Sequence, residues 1–258
     1  MGGSFSGDNG PVAPALPPAD SGSGSQGLVI LVHGFLRTGV SMWWLARALR
    51  RYGFVVRTLS LETLLPDIPT LADRLSARLP SLLAQGDHAG PFDGHVNFVT
   101  HSMGGVVVRS LLSRHEVPGA RRVVMLAPPN QGSRYAERLH DGFFRLPWGG
   151  FDPLEKLLPG HRGGCESAGE PSVEVGILAG APARPSGLPW SLLDSSPWGS
   201  ELAPGPPGEH DGKVALDETR WALADDFLVV PYGHSFLMNR REVQRQCVAF
   251  LRNGRFER

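Results

Sequence analysis

The sequence predicts an α/β protein: a mostly parallel sheet of about six strands with helices on both faces. Three observations predict it. Short apolar runs rich in branched residues recur as continuous stretches, the pattern of strands buried on both faces. Segments with apolar residues at helical spacing lie between them. The alternation fills most of a 258-residue chain, a length that one domain of this class can occupy.

Residues 1–27 hold 16 Gly, Ser or Pro without hydrophobic periodicity and read as a disordered leader, leaving 28–258 as the folded domain. The first strand run is 28–32. Met42, Leu45, Ala46, Leu49 and Tyr52 then form one stripe of a helix that Gly53 ends. A second strand run, 54–56, precedes a helix expected to start at Thr70 with Asp73 as its capping-box partner. That helix carries Leu71, Leu75, Leu79 and Leu82. Runs at 96–99 and 123–126 flank a helix around 107–112. Further runs lie at 173–179 and 227–230. The last helix begins near Asn239 and carries Val243, Cys247, Phe250 and Leu251 on one face.

Composition narrows the function. The chain has 33 Gly and 23 Pro, well above the roughly 12% of ordinary usage and without a three-residue period. The excess gathers in the leader and in two loops, 11 of 30 positions at 142–171 and 13 of 33 at 180–212. A small lid-like insertion is expected at 134–171, since long loops in compact domains are commonly lids or binding elements. With 25 basic and 25 acidic residues the net charge is zero, which gives no electrostatic case for nucleic acid. Two cysteines, Cys165 and Cys247, supply neither a disulfide framework nor a metal cluster. No apolar run reaches transmembrane length and no signal peptide is evident, so a cytoplasmic protein is the default expectation.

The strongest chemical signal is Thr100-His101-Ser102-Met103-Gly104-Gly105. It directly follows an apolar strand and precedes a helix. A sharp turn there lifts a serine Oγ above the sheet edge, as a nucleophile elbow requires. Thr100 stands where Gly-x-Ser-x-Gly has its first glycine, and a β-branched residue crowds such a turn. The plain alternative is a helix-capping serine. Val32-His33-Gly34-Phe35 ends the first strand, and Gly34 allows close backbone approach. The amides of Phe35 and Met103 are the natural oxyanion-hole pair. After such an elbow the acid and then the histidine follow in chain order. Only His234 follows the last predicted strand. His33 and His101 are tied to their turns and are expected to bond neighbouring backbone. Candidate acids are Asp194, Asp211, Asp217, Asp225 and Asp226, with Asp211 favoured because Gly212 permits a tight turn that fixes its carboxylate. Leu36 and Trp43, with Phe143, Phe144 and Trp148 of the lid-like stretch, are candidate substrate-binding residues. The aromatics could equally be packing residues.

Taken in order, these anchors resemble the α/β-hydrolase superfamily, and within it small bacterial lipase- and esterase-like proteins. The motifs are Val32-His33-Gly34-Phe35, Thr100 to Gly105, Pro128-Pro129-Asn130-Gln131-Gly132-Ser133, Asp211-Gly212-Lys213-Val214 and Gly233-His234-Ser235. The resemblance covers about residues 28–254. It implies the α/β-hydrolase fold and carboxylic ester hydrolysis by a Ser102–Asp211–His234 triad, with no cofactor and no metal, on a small-molecule or lipid ester. Acyl transfer, deacylation of a lipid or thioester, and a non-catalytic binding role remain open at this level. The oligomeric state is not legible.

Overall fold

The computed structural model describes residues 26–64, 66–84, 93–140, 157–158, 173–182 and 209–258. Six strands form one sheet: β1 (Gln26–Val32), β2 (Phe54–Leu59), β3 (Val96–His101), β4 (Ala120–Leu126), β5 (Glu174–Gly180) and β6 (Asp226–Val230). Their order is β2-β1-β3-β4-β5-β6, and every neighbouring pair is parallel. Residues 1–25, most of the lid-like stretch with Phe143, Phe144 and Trp148, and most of the 180–212 loop lie outside the described residues.

Parallel pairing requires each chain return to cross a face of the sheet, and helices supply the crossings. They are α1 (Trp43–Arg51), α2 (Ile68–Ala84), α3 (Met103–Arg114), α4 (Arg134–Leu139), α5 (Leu216–Thr219) and α6 (Arg241–Asn253). Side chains alternate across β1 accordingly. Leu28, Ile30 and Val32 join the core beneath α2 and α3, while Val29 and Leu31 join the core beneath α1 and α6. Each such fully buried aliphatic contributes about 1.5–3 kcal/mol relative to exposure. Cys247 is buried in the second core among Val243, Phe250 and Leu251, and burial raises its thiol pKa, so it packs as an apolar residue.

β1 opens at Gln26, inside the stretch assigned to the leader, because Gln26 already pairs with Phe54 of β2. The start of α2 also differs from expectation. The helix begins at Ile68, and the Asp67 carboxylate accepts the Thr70 amide at 2.8 Å. Asp67 thus takes the N-cap role expected of Thr70. Pro69 sits in the first turn, where its missing N–H costs nothing. Asp73 instead faces Arg114 and His115 on α3's end, at 3.2 and 2.6 Å. Asp67→Ala should therefore lower unfolding stability by about 1 kcal/mol, and Thr70→Ala by less than about 0.5 kcal/mol, in urea titrations.

Candidate active site

Non-glycine residues with positive φ follow the carboxyl ends of β1, β3 and β4: Ser102 at 53° and Ala127 at 47° directly after β3 and β4, and Leu36 at 52° in the loop four residues past β1. Strain of this kind persists only where the surroundings over-determine it, and it concentrates at functional sites. Ser102 (ψ −128°) turns β3 into α3. Its amide donates to Leu126 O of β4 at 2.8 Å, and its carbonyl accepts the Gly105 amide at 2.9 Å.

The turn closes against the end of β1. A methyl group on Gly104 would lie 2.6 Å from Val32 O and 2.7 Å from His33 O, and one on Gly34 would lie 3.0 Å from Ser102 Cβ. Only hydrogens fit at that contact. Thr100 is accommodated by a neighbour. Its Oγ1 would be 3.2 Å from a methyl at Gly105, so the second glycine of the Gly-Gly pair makes the room that the missing first glycine would have made.

Met103 opens α3, where the first amides have no carbonyl one turn back and point toward the turn. Phe35 follows Gly34 on the facing loop. That loop is pinned twice. His33 Nε2 accepts the Leu61 amide at 3.0 Å, so Nδ1 carries the proton and donates to Gly34 O at 2.8 Å. The Leu36 amide donates to Thr63 Oγ1 at 3.0 Å.

His234 lies in the turn after β6, and Asp211 in the loop before α5. His234 Nδ1 bonds Asp211 Oδ2 at 2.7 Å, and the His234 amide donates to Asp211 O at 2.9 Å. Asp211 Oδ1 accepts the amides of Lys213 and Val214 at 3.0 and 2.8 Å, across a turn made by Gly212 at φ 105°. Asp211 is fully buried. Both carboxylate oxygens are therefore held. Three of the other candidate acids are engaged elsewhere. Asp217 faces Arg134, Asp225 accepts the Val175 amide, and Asp226 accepts the Phe256 amide and pairs with Arg258; the last two sit at the amino end of β6. Asp194 lies outside the described residues.

Ser102 and His234 line one cavity of about 400 Å³ with Phe35, Leu36, Arg37, Tyr135, Leu157 and Lys213. Ser102 Oγ makes no hydrogen bond among the described residues. Catalytic bonds are often loose before substrate arrives. Leu36 is thus in the cavity wall, whereas Trp43 lies outside it, half exposed on the first turn of α1. Leu157, inside the lid-like stretch, is anchored there by accepting the Ser133 amide at 2.8 Å.

The supporting contacts are remote in sequence, including that of His101, which the sequence predicts to bond neighbouring backbone and which instead reaches the turn after β6. His101 Nε2 donates to His234 O at 3.0 Å, its ring 4.8 Å from that of His234. Arg37 donates to Ser235 O at 2.7 Å, and Lys213 Nζ to Ser235 Oγ at 3.2 Å. Lys213 sits in the Asp-Gly-Lys-Val motif, a signal that could have marked it. The Arg37 contact spans 198 positions, and no local pattern announces it.

Among solved structures, the chain is similar to a lipase of Bacillus licheniformis in its mature form: TM-score 0.66 at 18% identity, covering 92% of this chain and 96% of that one. The propeptide form of that lipase gives TM-score 0.70 at 17% identity, over 94% of this chain and 53% of the other. A metagenomic carboxyl esterase gives TM-score 0.58 at 21% identity, over 89% and 70%. No protein-family profile and no curated protein matches the chain. The protein has the α/β-hydrolase fold.

Burial holds His33 below its ordinary pKa of 6.5 and His101 well below it; nearby positive charge from Arg37 adds to both shifts, and His234 to the second. The unfolded chain then binds protons below about pH 6.5 that the folded chain refuses. Stability is full above that pH and falls beneath it. Urea midpoints should drop between about pH 7.5 and about pH 5.5, and drop less in His101→Gln. Gly104→Ala, which forces a methyl into two backbone carbonyls, should cost about 1–3 kcal/mol in the same assay.

Proposed function

We propose that the protein is a serine hydrolase that cleaves carboxylic esters of short to medium acyl length through an acyl-enzyme on Ser102. The observation that carries this reading is the buried Asp211–His234 bond of 2.7 Å, in the wall of the cavity that also holds Ser102. Ser102 Oγ attacks the ester carbonyl carbon while His234 Nε2 takes its proton. The tetrahedral oxyanion accepts hydrogen bonds from the amides of Phe35 and Met103, which sit on braced backbone and need no reorganisation. His234 then protonates the leaving alkoxide, and water repeats the sequence on the acyl-enzyme. Asp211 stays ionised. It keeps the proton on His234 Nδ1 and stabilises the imidazolium as it forms.

The similarity to a lipase and a carboxyl esterase supports the same reaction class. The cavity wall is mixed: Leu36, Leu157 and Val214 offer apolar surface to an acyl chain, and Tyr135 an aromatic face. The test is hydrolysis of p-nitrophenyl esters across acyl lengths, with fluorophosphonate labelling. Ser102→Ala should abolish both turnover and labelling, and Asp211→Asn should lower kcat about 10⁴-fold. Absence of turnover and of labelling at Ser102 in the wild type would sink the reading. Near-normal activity of Asp211→Asn would remove that residue from the role.

A further inference from the structure

The exposed face of α1 is unusual in composition. Trp43, Trp44, Arg47, Arg50 and Arg51 are all exposed and fall at spacings of zero, one, four, seven and eight, one side of a helix. Leu45, Ala46 and Leu49 occupy the buried side. Trp44 is 56% exposed and Trp43 49%, and their rings meet edge to face at 4.5 Å. Just before the helix, Leu36 is 67% and Val40 80% exposed. The 3₁₀ turn His234–Asn239 packs against α1 and adds Phe236, 46% exposed, with Arg37 5.9 Å from its ring. Exposed Arg240 and Arg241 follow.

Five large apolar side chains are thus exposed on α1, on the turn before it and on the 3₁₀ turn packed against it, a clustering that singly scattered surface residues do not show. The charge on it is mainly basic, and the nearest acids, Glu62 and Glu242, are paired with Arg74 and Arg245. Residues 26–61 contain five arginines and no acid. Among the described residues none of Arg47, Arg50 and Arg51 has a salt-bridge partner. Arg47 lies 5.9 Å from the Trp43 ring, so cation and aromatic stand side by side.

We propose that this face docks the protein on an anionic phospholipid bilayer. Trp and aliphatic side chains enter the headgroup boundary, where amphipathic rings are favoured, while arginines meet lipid phosphates. A basic amphipathic helix with tryptophans at one end suits that environment, because each cation near an anionic leaflet adds attraction that the apolar insertion alone lacks. The cavity opens beside the patch, since Leu36 and Arg37 belong to both. Docking therefore presents the Ser102 cavity to the lipid surface. Charge complementarity selects lipid over a second copy of the chain, for two such basic faces repel each other.

The experiment is co-sedimentation of the full Ser102→Ala chain with vesicles of phosphatidylcholine alone or mixed with phosphatidylglycerol, with tryptophan emission followed in parallel. Using the serine variant separates binding from ester cleavage, so the outcome is independent of the proposed catalysis. Expected are binding to the anionic vesicles with a blue shift, at least about tenfold weaker binding to phosphatidylcholine, and loss of binding as salt rises. Arg47→Glu with Arg51→Glu should cost at least about tenfold in vesicle affinity. Trp43→Ala with Trp44→Ala should weaken binding and remove the blue shift. Thermal melts of both variants matched to the parent show that folding is intact; the charge-reversal pair, on exposed side chains alone, is the variant to rely on if the tryptophan pair melts early. Equal affinity for both vesicle types, no binding to either, or charge-reversed protein that binds as well as the parent overturns the proposal. So does concentration-dependent dimerisation without lipid that the tryptophan substitutions abolish.

Discussion

Everything at the strand ends depends on one backbone contact, the meeting of the β1 exit with the β3–α3 turn. A methyl on Gly34 would press on Ser102 Cβ from one side, and one on Gly104 would press on the Val32 and His33 carbonyls from the other. The contact fixes the distance between the two amides that would hold an oxyanion. The sheet supplies the register: Val32 lies opposite Thr100, so the two turns leave the sheet at the same level. Side chains could not do this as well, because each rotamer added between the turns would add freedom to the amide positions. A backbone packed on backbone has almost none to give.

The three histidines of the site divide the work by environment. His33 and His101 are buried, neutral, and spend a ring nitrogen each on backbone carbonyls, Gly34 O and His234 O. His234 alone contacts a carboxylate. A buried imidazole resists protonation because the cation loses its hydration, so the first two act as fixed donors. The third is the one with a built-in partner for the imidazolium. His101 connects the parts: it precedes the Ser102 turn and holds the His234 carbonyl, which ties the β3 end to the turn after β6.

The sheet was legible because burial on both faces writes itself as unbroken apolar runs, and the strand ends followed from glycines beside histidine and serine. Asp211 was legible through Gly212, whose φ of 105° only glycine adopts readily. Contacts between remote segments left no trace. Thr63 under Leu36 and Arg37 under Ser235 are single residues in unremarkable surroundings. The α2 start was misplaced because the Thr70–Asp73 pattern satisfies a capping box equally well on paper. Asp67, on the far side of Pro69, wins because its carboxylate reaches an amide the helix leaves open. Trp43 was drawn toward the cavity by its nearness in sequence to the His-Gly turn. The helical stripe of Met42, Leu45, Ala46 and Leu49 already placed it on the other face.

Zero net charge conceals a division of the surface. Several arginines away from α1 stand opposite acids: Arg74 with Glu62, Arg114 with Asp73, Arg134 with Asp217, Arg245 with Glu242. Exposed pairs of this kind contribute about 0–1 kcal/mol each, so their distribution is not explained by stability. What the distribution does set is the field. Paired charges cancel within a Debye length, whereas Arg47, Arg50 and Arg51 of α1 stand without a salt-bridge partner among the described residues. A neutral molecule with one uncancelled face is oriented by a charged surface before it touches it. Here that face borders the Ser102 cavity. The same loop that turns sharply at Leu36 also carries Leu36, Arg37 and Val40 to the surface. The backbone strain at Leu36 therefore serves two ends: it turns one side of the loop toward the cavity that holds Ser102, and it leaves the other side at the surface.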